Sequence, residues 1–274
     1  MAEKDDWQGR TGDAWAQEWR RTDRSFSHLT EQLLAGTRGF AFDRVLDVGC
    51  GAGELSLAIA RGRPEATVIG VDVSPRLIEV AKERGAHRAN ASFELADAAD
   101  WQSEPGAAPE LLISRHGVMF FADPVAAFAN LAKQGADGAG LLFSCFRSRS
   151  ENPLFADVLR LLPNPPEAVD PYAPGPFAFA DPTRVAAILS QAGWKQVQLT
   201  PFDFPMIAGA GEHAIEEAMA YFKRIGPAAR ALTELDTGSA ERFLKLLRAL
   251  VERNCHHNIV AFRAAAWMVT ARKV

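Results

Sequence analysis

The sequence predicts an α/β fold built on a doubly wound, mostly parallel sheet. Two observations support this class: short apolar segments alternate with amphipathic ones, and the connections between them are brief. The composition agrees, because 48% of the 274 residues are hydrophobic and 23% are charged, as in ordinary globular proteins. A chain of this length can form one large domain with additions, or a domain with a small cap.

Five strands are predicted in the first half of the chain from short apolar runs. These runs are 44–48, 67–73, 92–95, 111–114 and 139–145. The last run is almost entirely apolar, as expected of a parallel strand that is buried on both faces.

The helices between these strands are predicted from their start signals. A Ser or Asp followed by Pro provides an N-cap and a favourable first helical residue. This pair occurs at Ser74-Pro75, Asp123-Pro124 and Asp181-Pro182. The periodicity of residues 13–36 predicts one or two helices ending at Gly36, and a further helix is predicted over 54–60.

Two segments interrupt the alternation of strands and helices. Residues 146–180 contain seven prolines, which predicts a long connection with little regular structure. Residues 208–254 have helical periodicity, with Ser239 as a predicted N-cap. Residues 264–271 then predict a final strand.

The charge and the cysteines limit the classes of partner. A net charge of −4 gives no field that favours nucleic acid or an anionic membrane. Three separated cysteines without a CxxC pair indicate reduced thiols, with no disulfide or zinc framework. The first residues lack the apolar stretch of a signal peptide, and no apolar run is long enough to span a membrane. We therefore expect a cytoplasmic protein with a small-molecule substrate.

A glycine cluster follows the first predicted strand, in the segment LDVGCGAGE. Gly49, Gly51 and Gly53 allow a tight turn and let the backbone lie close to a ligand. In a dinucleotide fingerprint, G-x-G-x-x-G, the last glycine would fall at Glu54, where an acid would oppose a pyrophosphate. S-adenosylmethionine has no phosphate and carries a cationic sulfonium and ammonium, so it is favoured over NAD or FAD.

Two aspartates stand at the ends of the next two strands. Asp72 lies nineteen residues beyond Gly53, where a carboxylate can accept hydrogen bonds from both ribose hydroxyls of a nucleoside. Asp97 follows the third strand, where it can accept one from an adenine amino group. Either residue alone could be a cap or turn residue, but their order and spacing together favour a nucleoside site.

Four segments together resemble a known family. They are LDVGCGAG, VIGVDVSPRLIEVAKER, FELADAAD and ELLISRHGVMFFADP. The chain is similar there to the ubiquinone/menaquinone-biosynthesis-like branch of class I S-adenosylmethionine-dependent methyltransferases, over about residues 40–145. The resemblance implies a Rossmann-like, seven-stranded sheet. Its last strand would be antiparallel and inserted between the fifth and sixth, here 264–271 beside 194–202.

The resemblance also implies a division of the chain and a set of cofactor contacts. Residues 1–36 would form an N-terminal helical lid, and 37–145 the cofactor-binding core, completed by 181–202 and 260–274. Residues 146–180 and 203–259 would be cap insertions on the substrate side. The implied cofactor-binding residues are Asp47, Gly49, Gly51, Gly53, Asp72, Val73, Asp97, Ala98, Ser114 and Arg115.

His116 directly follows the fourth strand and is a candidate general base. The carboxyl ends of strands in such sheets bind ligands, and the ordinary pKa of histidine suits proton abstraction. A packing role under the cofactor stays open, because methyl transfer needs no base when the acceptor is acidic by itself. No metal is expected: neighbouring helical residues such as Cys255, His256 and His257 point about 100° apart and cannot readily converge on one ion.

Many large apolar residues lie outside the alternating core. They are Trp15, Trp19, Phe26, Phe146, Phe155, Tyr172, Phe177, Phe179, Phe202, Phe204, Met206, Tyr221 and Phe222. Most should hold the cap onto the sheet, and a minority should line a substrate chamber. We therefore expect a hydrophobic or aromatic small acceptor, methylated on oxygen. Asn164-Pro165-Pro166-Glu167 superficially resembles a motif of nucleic-acid amino-methyltransferases but is predicted to be a proline turn.

Two other functions stay open at this stage. A regulator that binds S-adenosylmethionine without turnover would carry the same cofactor motifs. A nicotinamide-dependent oxidoreductase is disfavoured by Glu54 and by the glycine spacing.

Overall fold

The computed structural model describes residues 4–163 and 170–274. Within these ranges the strands form one mixed sheet. They are β1 (Arg44–Val48), β2 (Thr67–Asp72), β3 (Ala91–Leu95), β4 (Leu111–Arg115), β5 (Gly140–Phe146), β6 (Trp194–Ala210), β7 (Cys255–His256) and β8 (Ile259–Lys273). The order across the sheet is β3-β2-β1-β4-β5-β8-β6, and the short β7 pairs with β8.

Strands β1 to β5 are parallel, and β8 runs antiparallel to both of its neighbours, β5 and β6. This arrangement confirms the predicted Rossmann-like sheet, with its last long strand inserted between the fifth and sixth. The chain runs outward from β1 to β3 and then returns to place β4 on the other side of β1. Such a reversal leaves a crevice at the carboxyl ends of the strands, where ligands bind.

The helices within the described ranges cover both faces of the sheet and its carboxyl end. They are α1 (Lys4–Gln8), α2 (Arg10–Gln17), α3 (Trp19–Ser25), α4 (Ser27–Gly36), α5 (Glu54–Gly62), α6 (Pro75–Gly85), α7 (Pro124–Gln134), α8 (Pro153–Arg160), α9 (Pro182–Gln191), α10 (Ala214–Phe222), α11 (Gly226–Glu234) and α12 (Thr237–Arg253). No helix in this part of the chain is both long enough and apolar enough to cross a membrane.

The three predicted Ser-Pro and Asp-Pro helix starts are confirmed. The side chains of Ser74, Asp123 and Asp181 each accept a hydrogen bond from a backbone N–H in the first turn. The predicted cap at Ser239 is wrong, because helix α12 begins two residues earlier. Asp236 is its N-cap, and its Oδ1 accepts a 3.0 Å hydrogen bond from the Ser239 N–H.

Strands β6 and β8 are longer than predicted and pair from Trp194↔Lys273 to Ala210↔Ile259. The family resemblance implied a sixth strand over 194–202 only, whereas the observed strand continues past Pro201 and Pro205 to Ala210. Strand β6 lies at the edge of the sheet, where prolines are tolerated. The first residues of the predicted helical segment 208–254 therefore belong to strand β6, which ends at Ala210. The helices of this segment begin only at Ala214.

The N-terminal helices are attached to helix α10 and to strand β6. Arg21 and Arg24 of α3 pair with Glu217 of α10 at 3.1 and 2.7 Å, and Ser25 Oγ donates to the Ile207 carbonyl at 2.8 Å. Segment 146–180 contains helix α8 after a short 3-10 turn. The predicted proline turn at Asn164 to Glu167 lies outside the described residues.

Candidate active site

A cavity of about 850 Å³ opens at the carboxyl ends of β1, β2, β4 and β5. Strand-end residues such as Asp47, Asp72 and Arg115 form its floor, and the N-terminal helices form one wall. Residues from the 146–180 segment and from α10 complete the lining. One cavity therefore joins the predicted cofactor loop to the predicted lid and cap.

The glycine loop places bare backbone on the cavity. Gly49 and Gly51 have φ values of +65° and +56°, in the left-handed region that favours glycine. A Cβ on Gly49 would lie 2.9 Å from the Cα of Gly117, so only glycine lets these two segments approach. A Cβ on Gly51 would meet no atom within 4 Å, because this residue faces open space in the cavity.

Asp72 anchors this loop from the end of β2. Its Oδ2 accepts a 2.8 Å hydrogen bond from the Gly51 N–H, and its Oδ1 accepts one of 2.9 Å from the Ser74 N–H. Each carboxylate oxygen keeps a further lone pair for a ligand hydroxyl. Burial raises the pKa of Asp72, and the backbone donors act in the opposite direction.

Asp47 lies beneath the loop and is almost completely buried. Its Oδ2 accepts a 2.6 Å hydrogen bond from Ser56 Oγ, while its Oδ1 has no hydrogen-bond partner among the described residues. Burial raises the pKa of this carboxyl to about 6, although the Ser56 hydroxyl and the Arg115 guanidinium favour its charged form. A buried carboxylate oxygen without a partner fits a cationic ligand group.

The remaining strand-end residues of the predicted cofactor set lie along the same cavity. Val73, Asp97 and Ala98 line it, and Asp97 Oδ1 accepts a 3.0 Å hydrogen bond from the Ala99 N–H. Gly49, Gly51, Asp47, Asp72 and Arg115 line it as well. These residues come from the ends of four different strands, and the fold brings them together.

The structure places two predicted cofactor residues elsewhere, Gly53 and Ser114. A Cβ on Gly53 would lie 2.9 Å from the ring of Phe93, so this glycine allows close helix-to-strand packing, and it is not among the described residues that line the cavity. Ser114 is buried, and its Oγ donates to the Val48 carbonyl at 2.6 Å and accepts from the Gly117 N–H at 3.1 Å. Its hydrogen-bonding groups are thus occupied in fixing the loop after β4.

Glu54 also differs from its predicted role. Its carboxylate pairs with Arg84 at 2.6 Å and does not line the cavity among the described residues. Because Arg84 compensates this charge, Glu54 would oppose a pyrophosphate less strongly than the sequence suggests.

Sequence reasoning missed an ionic link between the N-terminal helices and the residues around the strand ends, centred on Asp23 of α3. Asp23 lies 2.9 Å from Arg84 and 3.3 Å from Arg115, and all three side chains are about 15% exposed. Arg115 also donates to Thr30 Oγ1 at 2.8 Å, and Arg84 stacks on the ring of Trp19. Asp23 stands in a run of charged residues that is typical of a solvated helix face, so no local signal distinguished it.

His116 lines the cavity between the cofactor loop and a group of aromatic rings. Its ring lies 4.2 Å from that of Phe146 and 5.5 Å from that of Phe26, between centroids. Nδ1 is 3.0 Å from Ser144 Oγ, and Nε2 is buried without a hydrogen-bond partner among the described residues. Burial lowers the pKa of His116 to about 3, so the imidazole is neutral at physiological pH.

Some of the large apolar residues that lie outside the alternating core line the aromatic end of the cavity. Those that line it are Trp15, Trp19, Phe26, Phe146, Phe155 and Tyr221. Tyr172 is exposed, and the others pack in the core or against it. Sequence reasoning missed Trp7, Met119, Phe120 and Ile225, which also line this end.

The predicted histidine-rich segment near residue 255 is not helical. Cys255 and His256 form β7, and His257 has a positive φ in the turn to β8. Across residues 4–163 and 170–274, no group of three His, Cys, Asp or Glu side chains is placed to hold a metal ion.

Comparison with known proteins finds similarity to methyltransferases in the first two thirds of the chain. Residues 41–170 match the family described as "Methyltransferase domain". The chain is 30% identical over 162 residues to a trans-aconitate 2-methyltransferase of Methylobacterium nodulans, covering 59% of each chain. It is 33% identical over 106 residues to a malonyl-[acyl-carrier protein] O-methyltransferase of Anoxybacillus flavithermus, covering 39% of this chain and 40% of the relative. Residues 41–170, on the Rossmann-like sheet described above, therefore resemble a class I methyltransferase domain.

Structural comparison agrees with this domain at the level of the fold. The phosphoethanolamine N-methyltransferase 2 of Haemonchus contortus, solved with S-adenosyl-L-methionine, superimposes with a TM-score of 0.57 at 14% identity. The superposition covers 100% of this chain and 60% of that one. The chain spans about three fifths of the length of the Methylobacterium nodulans relative and about two fifths of the Anoxybacillus flavithermus relative.

S-adenosylmethionine, the ligand in that solved structure, fits the residues present here. The open face of Gly51 accommodates a ligand against the backbone, and the free lone pairs of Asp72 suit ribose hydroxyls. The unpaired Oδ1 of Asp47 suits an ammonium group. The relatives and the solved structure named above are all methyltransferases by name, and none is a nicotinamide-dependent oxidoreductase.

Proposed function

We propose that this protein transfers a methyl group from S-adenosylmethionine to an oxygen of a hydrophobic or aromatic small molecule. The observation that carries this proposal is the single cavity, which joins the glycine loop at one end to a cluster of aromatic rings at the other. Pockets for small apolar ligands have such linings, with few polar groups among them.

Three parts of the chain would share the work. The core, 37–145 with 181–202 and 260–274, would hold the cofactor through Asp47, Gly49, Gly51, Asp72, Val73, Asp97, Ala98 and Arg115. Residues 1–36 would act as the lid, and 146–180 and 203–259 as the acceptor-side cap. In support, each of these additions contributes side chains to the cavity, among them Trp15, Phe155 and Tyr221.

The chemistry requires alignment more than proton transfer. When bound, S-adenosylmethionine supplies a methyl carbon to which the acceptor oxygen bonds as the carbon–sulfur bond breaks, leaving the electron pair on sulfur. The cavity walls would orient the acceptor for this in-line displacement, and orientation alone is worth about 7–11 kcal/mol in well-aligned systems. His116 is the described residue best placed to interact with the acceptor, either as the predicted base or as a packing group.

The cavity argues against trans-aconitate, the acceptor named for one of the relatives. Trans-aconitate is a tricarboxylate, whereas the described lining contains one arginine, Arg115, which already pairs with Asp23. The other charged residues of that lining are aspartates. A multiply charged anion would lack partners there, and a neutral or singly ionisable aromatic acceptor fits better.

Cofactor binding is the first test of this proposal. Calorimetric titration should show micromolar binding of S-adenosylmethionine and S-adenosylhomocysteine and no binding of NAD. Gly51→Ala places a methyl group in the cavity and should weaken binding at least tenfold. Gly106→Ala is the matched control, because Gly106 also has a positive φ but lies in an exposed turn. Binding of NAD alone would overturn the proposal.

Turnover is the second test. Aromatic hydroxyl compounds, trans-aconitate and a malonyl thioester would be incubated with S-adenosylmethionine, and S-adenosylhomocysteine and methylated product would be measured by mass spectrometry. We expect transfer to an aromatic hydroxyl. Cofactor binding without transfer to any acceptor would favour the non-catalytic regulator. We also propose a cytoplasmic location, in line with the free state of Cys50, Cys145 and Cys255.

A further inference from the structure

The hydrogen bonds between His116 and Ser144 determine whether the free ring nitrogen of His116 donates or accepts a hydrogen bond. Ser144 lies on β5 and is completely buried. Its Oγ lies 3.0 Å from His116 Nδ1, and its carbonyl accepts a 3.2 Å hydrogen bond from the His116 N–H. One residue therefore holds both the backbone and the ring of His116.

The backbone of His116 shows that this placement is specific. Its φ of +65° is unusual for a residue with a side chain and costs free energy unless neighbouring contacts enforce it. The two hydrogen bonds with Ser144 can enforce this backbone conformation. They direct the imidazole between Phe26 and Phe146, at the aromatic end of the cavity.

The direction of the Ser144 hydrogen bond follows from the satisfaction of buried groups. In the described structure, the ring of His116 is the hydrogen-bond partner of the Ser144 hydroxyl. If Nδ1 carried the proton, the Ser144 O–H and the Nε2 lone pair would both be buried without a partner, which is costly. If Ser144 donates to the Nδ1 lone pair, the hydroxyl is satisfied, the imidazole proton lies on Nε2, and only the Nε2–H group still needs a partner.

We propose that Ser144 holds His116 in the tautomer protonated on Nε2, so that His116 meets the acceptor as a hydrogen-bond donor and not as a base. The low pKa of His116 supports a neutral ring, in which one nitrogen donates and the other accepts. Ser144 is then a positioning residue. The buried Nε2, which lacks a partner in the described protein, obtains one from the acceptor.

If the protein is a methyltransferase as proposed above, this tautomer restricts the class of acceptor. This consequence rests on the proposed function. An Nε2–H donor cannot take a proton, so the acceptor oxygen must lose its proton to water without help from His116. The acceptor is therefore an acidic hydroxyl compound that binds as an oxyanion, such as an electron-poor phenol or an enol. A charge-assisted hydrogen bond from Nε2–H stabilises that oxygen until it bonds to the methyl carbon.

The tautomer can be tested without any acceptor. Protein with ¹⁵N-labelled histidine rings would be bound to S-adenosylhomocysteine and examined by long-range ¹H–¹⁵N NMR. The six histidines give separate signals, and His116→Gln identifies the signal of His116. We expect Nε2 to be the protonated nitrogen and Nδ1 the unprotonated one. A proton on Nδ1 would overturn the proposal, whether or not the protein transfers methyl groups.

Two variants extend the test to the positioning role. Ser144→Ala removes the donor to Nδ1 and should shift His116 towards the other tautomer, whereas Ser190→Ala, at an exposed site, should leave its signals unchanged. An unchanged tautomer in a folded Ser144→Ala protein would refute the role of Ser144. If this variant does not fold, the wild-type spectrum still decides the tautomer.

With an acceptor from the turnover screen, His116→Gln and His116→Ala separate donor from base. Glutamine retains an N–H donor at about the position of Nε2 but cannot act as a base. We expect His116→Ala to lower kcat/KM by about tenfold to a hundredfold, the range for one hydrogen bond to a charged group. His116→Gln should retain most of the wild-type kcat/KM, because the glutamine side chain still donates a hydrogen bond. Equal losses in both variants would refute the donor role.

Discussion

Ser56 donates a 2.6 Å hydrogen bond to Oδ2 of Asp47, and both residues are buried under the glycine loop. This bond fixes the carboxylate while Oδ1 is left without a partner among the described residues. The site therefore holds a buried carboxylate with one oxygen hydrogen-bonded and the other unpartnered among the described residues. Because the protonation of this carboxylate depends on pH, ligand binding should depend on pH as well.

Cofactor affinity should fall as the pH is lowered through about 6. Burial raises the pKa of Asp47 to about 6 in the free protein, and a ligand ammonium favours the ionised carboxylate. Affinity is then highest above this pKa, and at pH 5 it should be about tenfold weaker than at pH 8. Titration of S-adenosylhomocysteine between pH 5 and 8 measures this slope. Asp47→Asn should weaken binding at pH 8 and flatten the profile, and a flat wild-type profile would contradict the role of Asp47.

Asp72→Ala should weaken cofactor binding at least tenfold and leave the protein folded. The variant loses the expected ribose contact and also releases the Gly51 and Ser74 backbone donors. Calorimetry gives the affinity, and circular dichroism checks the fold. Asp137→Ala, at a fully exposed site, is the control. Unchanged affinity in Asp72→Ala would remove this residue from the site.

Gly12→Ala should loosen the lid over the cofactor end. A Cβ on Gly12 would lie 2.1 Å from the Trp7 carbonyl oxygen and 2.3 Å from Ser74 Oγ, so helix α2 would have to move away. We expect faster proteolysis of the first 36 residues and a severalfold weaker affinity for S-adenosylhomocysteine. Gly9→Ala is matched, since its Cβ would make an ordinary contact at 3.4 Å with the Asp5 carbonyl. Equal proteolysis of the two variants would show that the close approach does not hold the lid.

Asp23→Asn should destabilise the protein by about 1–3 kcal/mol, because it leaves the mostly buried Arg84 and Arg115 without their shared carboxylate. Urea unfolding of the ligand-free protein measures the change. Arg230→Gln breaks an exposed pair with Glu234 and should change the free energy of unfolding by less than about 0.5 kcal/mol. Similar values for the two variants would mean that Asp23 does not stabilise the attachment of the lid.

Most of the parallel half of the fold was predictable, because its signals are local. Strand β1, the Ser74-Pro75 helix start and the end of α4 at Gly36 depend on residues within a few positions of one another. The β6–β8 extension was not predictable, because the prolines of β6 are permitted only by its position at the edge of the sheet.

The candidate site divides in the same way. The pattern of glycines and strand-end acids marked Gly51, Asp72 and Asp97, since parallel strands bring their carboxyl ends together. It could not show that Gly53 faces Phe93, that Ser114 supports a loop, or that Asp23 pairs with Arg84 and Arg115.

By itself the sequence determined the fold class, the nucleoside-type cofactor loop and the order of the strands that carry it. Periodicity, capping and glycine spacing act between neighbours in the chain and can be recognised there. Only the tertiary structure decided which loop atoms face the cavity and that Ser144 contacts the His116 ring. These features depend on contacts between residues distant in sequence, whose geometry is set when the sheet, lid and cap pack together.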